Sequence, residues 1–158
     1  MAPNIRRVVT GHDRNGKAIV VSDGVMTNWR SPRPGSAGCV FWTNDRTPAD
    51  NSGEQDASLA DPKTCHPNGA VLRIIEYLPG CAPRIHRTAT LDYAIVMSGE
   101  IDMELDEGSV HLSAGDVLIQ RGTIHNWVNN GTEPCVIAFV LIGADPIEIG
   151  GRSIAPAG

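Results

Sequence analysis

Two histidines and one aspartate have the residue types and spacing to act together. On an extended chain, residues two apart point to the same side, so His86 shares a face with Thr88, and His125 with Trp127. Asp92 opens the next run and alternates with Ala94 and Val96. If the inward faces of these strands coincide, two imidazoles and one carboxylate meet in one place. Two chemistries fit that set. One is a facial two-histidine, one-carboxylate site for Fe(II) or a similar ion. The other is a metal-free pocket in which His86 and His125 act as acid–base groups, since the ordinary histidine pKa of about 6.5 lies near physiological pH. Asp92 would then orient one of them. Both readings stay open on the residues alone.

The elements that must hold these side chains are short β-branched runs punctuated by Gly, Pro, Asn and Asp, with no helical stripe of useful length. Strands are expected at Arg6–Thr10, Ala18–Ser22 and Cys39–Thr43, and then in quick succession from 70 onward. These later runs are Ala70–Leu78, Arg84–His86, Asp92–Met97, Ile101–Leu105, Ser109–Leu112, Val117–Gln120, His125–Val128 and Val136–Ile142. Turn residues such as Pro79-Gly80, Ser98-Gly99 and Asn129-Asn130-Gly131 separate them. Regular spacing of this kind predicts an antiparallel sandwich or barrel with few open edges. Residues 44–69 are rich in Asp, Pro, Ser and Gly and read as a long surface loop, either a pocket lid or a plain insertion. The tail from Ala144 reads as a loose extension, able to pack on a partner subunit.

Two stretches resemble the cupin superfamily. In the first, Gly80, His86, Thr88, Asp92 and Gly99 follow the spacing Gly-x5-His-x-His-x3-Glu-x6-Gly, with Thr88 in place of the second histidine and Asp92 in place of the glutamate. The second, Gly115 to Asn129, is similar to Gly-x5-Pro-x-Gly-x2-His-x3-Asn: Gly115, Gly122, His125 and Asn129 are kept, one residue is missing from the first gap, and Gln120 replaces the proline. The resemblance covers about the last half of the chain. It implies an all-β, cupin-type double-stranded β-helix (jelly-roll barrel) with extra N-terminal strands and a long loop. The chain is then one domain, 1–158: N-terminal strands 1–43, long loop 44–69, barrel core 70–143 and C-terminal extension 144–158. The family's usual three histidines and one glutamate are depleted here, since Thr88 removes a nitrogen ligand and Asp92 is shorter by a methylene. A divalent transition metal (Fe, Mn, Zn or Ni) held by His86, His125 and Asp92 and a metal-free site are therefore both expectations.

The strands that would line such a barrel add Trp127, Phe139, Arg73, Tyr77, Gln120 and Thr88 as substrate-pocket candidates, although alternation does not tell which face of each strand is interior. His66 beside Cys65 reads as a surface turn next to a buried thiol, and His12 and His111 as turn or exposed-strand residues. The alternation of acids with apolar residues from Glu100 to Glu107 is what a half-buried hairpin strand requires.

Composition bounds the partners. The chain has 158 residues, which suits one core, with a net charge of −5 and no clustered basic face, so a nucleic-acid partner is not expected. No apolar run reaches the ~18 residues needed to span a bilayer, no signal segment is evident, and a cytoplasmic address is expected. Four cysteines without C-x-x-C spacing read as buried, reduced thiols. The resemblance implies an enzyme for a small oxygen-rich metabolite, a lyase or isomerase working by decarboxylation, dehydration or a proton shift beside a carbonyl. A non-haem Fe(II) or Mn(II) oxygenase and a non-catalytic small-molecule-binding barrel are the alternatives. A homodimer, the common state of small cupins, is expected.

Overall fold

The structure is a computed structural model that describes residues 2–53, 55–62 and 64–158. It is an all-β jelly roll. The strands are β1 (Arg6–His12), β2 (Ala18–Val25), β3 (Arg30–Arg33), β4 (Ser36–Asn44), β5 (Ala70–Tyr77), β6 (Thr90–Ser98), β7 (Glu100–Glu104), β8 (Ser109–Ser113), β9 (Val117–Arg121), β10 (Asn126–Val128), β11 (Cys135–Gly143), β12 (Ile147–Ile149) and β13 (Arg152–Ile154). A six-stranded antiparallel sheet in the order β3-β4-β5-β11-β6-β9 faces a three-stranded sheet, β10-β7-β8. The pairs β1-β2 and β12-β13 stand as separate hairpins.

The β11 sequence explains why it lies in the middle of the large sheet. Cys-Val-Ile-Ala-Phe-Val-Leu-Ile is apolar on both faces, and both faces are covered. Cys135, Ile137, Phe139 and Leu141 enter the main core with Ile101, Met103, Leu112 and Trp127 of the opposite sheet. Val136 and Ala138 look outward into a second core with Phe41, Ile74, Met26 and Trp29, so the segment after β2 roofs the outer face of the sheet. The acid-apolar alternation in β7 resolves as expected, with Ile101 and Met103 buried and Glu100 and Glu104 exposed.

Four expectations need correction. Arg84–His86 is not a strand: with Pro83 before it, only His86 and Arg87 form single bridges, to His125 and Ala157. Strand β6 begins at Thr90, so Asp92 lies two residues inside it and does not open it. A strand that was not anticipated, β3, carries Arg33 and a proline at the sheet edge, where Pro is tolerated. The tail is no loose extension. It forms the β12-β13 hairpin and then pairs with Arg87 through Arg87 N–H to Ala157 O (2.8 Å) and Ala157 N–H to Arg87 O (3.0 Å).

The long loop is tied down at both ends. Asp56 accepts two bonds from the Arg7 guanidinium, and it also caps a short 3-10 turn, Ala57–Leu59, by accepting from Ser58 N–H. At the far end, residues 66 and 67 cross directly over Gly143. A Cβ at Gly143 would sit 2.2 Å from the Pro67 carbonyl, so no larger residue fits beneath this crossing.

Candidate functional site

From Arg84 to Asp92 every second residue is polar: Arg84 is exposed, His86 and Thr88 are half-buried, and Thr90 and Asp92 are buried. The backbone places the two histidines together. His86 and His125 exchange both N–H···O bonds at 3.0 Å, the hydrogen-bonded antiparallel pair that sets opposite side chains on one face. Their rings lie 4.3 Å apart, centroid to centroid. Behind them runs an aromatic wall: His125 to Trp127 is 6.1 Å, Trp127 to Phe139 5.5 Å and Trp127 to Tyr77 6.3 Å.

Hydrogen bonds choose the tautomers. His86 Nδ1 is 3.0 Å from the Arg84 carbonyl and His125 Nδ1 is 3.0 Å from the Thr123 carbonyl. A carbonyl can only accept, so each Nδ1 carries the proton and each Nε2 keeps a free lone pair. Gln120 Nε2 lies 3.0 Å from His125 Nδ1; with the Nδ1 proton given to the Thr123 carbonyl, the amide is assigned the flipped orientation, its oxygen toward that N–H. Burial holds both rings neutral. His86 is pushed down to about 4 by desolvation, with the neighbouring His125 and the Arg84 and Arg33 guanidinium groups acting in the same direction. His125, only 4% exposed, is lowered chiefly by the same loss of water, helped by Arg84.

Asp92 is 5% exposed, and its Oδ1 has no hydrogen-bond partner in the fold. Desolvation raises its pKa, against the opposing pull of a Thr90 hydrogen bond and of Arg73. Thr90 in turn shares a hydrogen bond with Thr88, Oγ1 to Oγ1 2.6 Å, so a hydroxyl chain leads from Asp92 toward the surface. Orphaned buried polar atoms are rare in native folds and cost about 1–3 kcal/mol each, which marks Asp92 Oδ1 as a group awaiting a ligand.

Beside Thr88 and Thr90 the chain opens into a cavity of about 410 Å3. One wall is Thr64 to Pro67, the end of the long loop; another is His86 to Thr90 with Arg84; the third is the C-terminal strap, Pro156 to Gly158, with Ala144. The strap is pressed close, since a Cβ at Gly158 would lie 2.3 Å from the Ile85 carbonyl. His66 therefore belongs to the cavity rather than to a remote surface turn, and Cys65 lies half-buried beside it, its thiol donating toward the His66 and Leu141 carbonyls. The other three cysteines are buried and free, as expected.

Of the residues proposed from sequence, His86, His125, Gln120, Trp127, Phe139 and Tyr77 form one continuous cluster. Asp92, Thr88 and Arg73 lie on the neighbouring inner face, with Arg73 donating to the Thr64 carbonyl at 3.1 Å. The proposed three-ligand metal set is not gathered: among the described residues no three His, Cys, Asp or Glu side chains form a group able to hold an ion. The reason is visible in the strands. Asp92 lies on β6 opposite Gln120 and Leu141, whereas His86 and His125 bridge each other from separate segments, and the position that would carry the second histidine is Thr88. These residues do not fit a resident metal ion as arranged. His12 stays on the β1-β2 hairpin, and His111 pairs at the surface with Asp102 at 2.8 Å. Sequence reasoning missed Thr90, Arg84, Arg33 and the strap. Thr90 and Arg84 were accessible from the period-2 pattern around His86; Arg33 left no local signal.

Comparison with known proteins agrees with this architecture. The cupin domain family (Cupin_2) matches residues 73–142. A cupin-domain-containing oxidoreductase of Aspergillus ruber is 31% identical over 94% of this chain and 77% of its own length. One from Hypocrea virens is 34% identical over 94% of this chain and 82% of its own. Among solved structures, the cupin domain of Schizosaccharomyces pombe Cnp3 superposes with a TM-score of 0.53 at 12% identity, over 87% of this chain and 86% of that one. An RmlC-like cupin from Shewanella frigidimarina gives 0.51 at 14%, over 75% and 86%. The paired histidine bridge, the two facing sheets and relatives matched over most of their length lead to one statement: the chain belongs to the cupin family.

Proposed function

We propose that the chain is a cupin enzyme that moves a proton on a small oxygen-rich substrate, as a lyase or isomerase does in decarboxylation, dehydration or an enolisation-type shift beside a carbonyl. The observation that carries this reading is the pair of neutral imidazoles, His125 buried and His86 half-buried at the edge of a cavity, each fixed with its proton on Nδ1. A neutral Nε2 is a ready base: it takes a proton from substrate carbon or oxygen, and the imidazolium formed hands it back at another atom. The backbone carbonyls of Arg84 and Thr123 stabilise that imidazolium through Nδ1–H. Gln120 fixes the His125 ring. Asp92, with its raised pKa and one unpartnered oxygen, supplies a second proton site through the Thr90 and Thr88 hydroxyls. The cavity volume falls in the range of small-molecule sites.

A second reading, an oxidoreductase, is favoured by fungal relatives that are cupin-domain-containing oxidoreductases. The two separate cleanly. Substrate turnover by purified protein is measured with and without a strong chelator and with and without oxygen, for the wild type and His125→Ala. The proton-transfer reading expects turnover that survives chelation and anaerobic conditions and falls ~100-fold or more in His125→Ala. Turnover that needs oxygen, or that is unchanged in His125→Ala, contradicts it.

A further inference from the structure

The segment between β5 and β6 carries His86 without being a strand, so individual bonds must hold it against the barrel. They run along the stretch from His125 to Asn129. Gly80 N–H donates to the Asn129 carbonyl at 2.9 Å, and the Cys81 thiol to the Trp127 carbonyl at 3.7 Å. At the other end His86 and His125 exchange their backbone bonds. Between these anchors Pro83 has no N–H to give, and Arg84 N–H donates to a side chain, Asn126 Oδ1, at 2.8 Å. The Asn126 amide has a brace of its own. Its Nδ2 donates at 2.9 Å to Oε2 of Glu104, the residue opposite it in the β10-β7 ladder. A backbone N–H can only donate and a carboxylate accepts, so the two partners fix which way the amide is turned. At 5% exposure Asn126 is a buried polar side chain with both ends satisfied.

The consequence falls on His86. Arg84 is the residue whose N–H Asn126 holds and whose carbonyl, 3.0 Å from His86 Nδ1, accepts that proton. His125 has a separate acceptor, the Thr123 carbonyl. Which ring nitrogen carries the proton is set by the partner of that nitrogen, and an imidazole without a fixed partner exchanges between both forms. We infer that Asn126 is a positioning residue: braced on Glu104, it holds the backbone of Arg84 so that the Arg84 carbonyl keeps the His86 proton on Nδ1 and leaves Nε2 as the free base.

The inference rests on the reading of His86 as a base, yet its test reads where the proton sits and not turnover. Two-bond 1H–15N correlation spectra of the 15N-labelled whole protein at pH 7.5 report the tautomer of each ring, with His86→Gln and His125→Ala identifying the two signals. Both rings should carry the proton on Nδ1 in the wild type. In Asn126→Ala the Nδ1–H share of His86 should fall about twofold or more, while His125 keeps its form. Asn126→Asp keeps an acceptor for Arg84 N–H but sets a second carboxylate against Glu104, so His86 should lose its fixed form again. Adding Glu104→Gln to Asn126→Asp exchanges donor and acceptor, restores the chain of bonds and should restore the Nδ1–H form. A merely structural role would loosen both rings together and would not be repaired by that exchange. If the Asn126 variants do not fold, Glu104→Ala, at an exposed position, decides: it removes the brace and should shift His86 but not His125. A wild-type His86 with its proton on Nε2, an unchanged His86 in Asn126→Ala, an equal change at both rings, or no recovery in the double variant overturns the inference. The proton chemistry itself is judged apart from this, by turnover in His125→Ala.

Discussion

Replacing His86 by Gln should alter how stability responds to acid, in a direction and window that the structure fixes. Burial holds the His86 ring down to about 4 in the fold. In the open chain it titrates near its ordinary 6.5. As pH falls through 6.5 the unfolded chain takes up a proton that the folded ring refuses, so the folded state loses stability from pH 6.5 down to about 4 and no further below it. Sealed from water, that gap would be worth ~3.4 kcal/mol. The ring is only partly covered, and solvent screening reduces the expected loss to about 1–2 kcal/mol. His125 contributes in the same sense and His111, raised by Asp102, in the opposite one, so the wild-type curve alone is ambiguous. The difference between wild type and His86→Gln isolates the one ring. Urea unfolding at pH 7.5 and pH 4.5 measures it. Relative to the variant, the wild type should lose about 1–2 kcal/mol on going to the lower pH. A difference that is constant with pH, or that favours the wild type at low pH, would refute the neutral buried imidazole and the base chemistry built on it.

Other consequences are open to direct measurement. Asp92→Val removes a buried carboxyl with an unpartnered oxygen and keeps the volume, so the melting temperature should hold or rise while turnover falls ~100-fold or more; a strongly destabilised but active variant would make Asp92 structural. Trp127→Ala empties the wall behind His125 and should cost about 3–5 kcal/mol in urea unfolding, a loss well under 1 kcal/mol contradicting the packing described. Gly143→Ala drives a Cβ into the backbone of residues 66 and 67 and should both lower the melting temperature and, by displacing that cavity wall, weaken ligand binding; an unchanged melting temperature would contradict the close crossing. We further propose a homodimer, because apolar side chains such as Val21 (54% exposed) on the β1-β2 hairpin and Val117 (60%) on β9 lie open to solvent. Light scattering should give about twice 16.8 kDa, and a monomer mass would count against it.

The legible part of this protein was the part written in spacing. Gly80, His86, Gly99, Gly122 and Asn129 mark turns and bridges that depend on local backbone geometry, and the two histidines met as their positions implied. The alternation in β7 gave its buried face correctly. What sequence left hidden depends on contacts between distant segments. The strap reaches His86 only because Arg87 offers it a free edge. The metal set looked feasible in sequence because period-2 patterns fix a face but not the distance between side chains on different segments; among the described residues His86, His125 and Asp92 do not form a group able to hold an ion. The place of His66 beside the cavity was not legible for a related reason, since a loop end carries no periodicity and its place was decided by the crossing over Gly143.

Proton transfer by the paired histidines is tested at its source by hydrogen exchange at substrate carbon. A small 2-oxo carboxylate that binds the cavity is incubated in D2O with purified protein and a chelator, without oxygen, and its C–H signal beside the carbonyl is followed by NMR. Enzyme-dependent replacement of that hydrogen by deuterium is predicted in the wild type, together with its loss in His125→Ala. Absence of exchange with a ligand shown to bind, or equal exchange in His125→Ala, would contradict the base chemistry assigned to this pair.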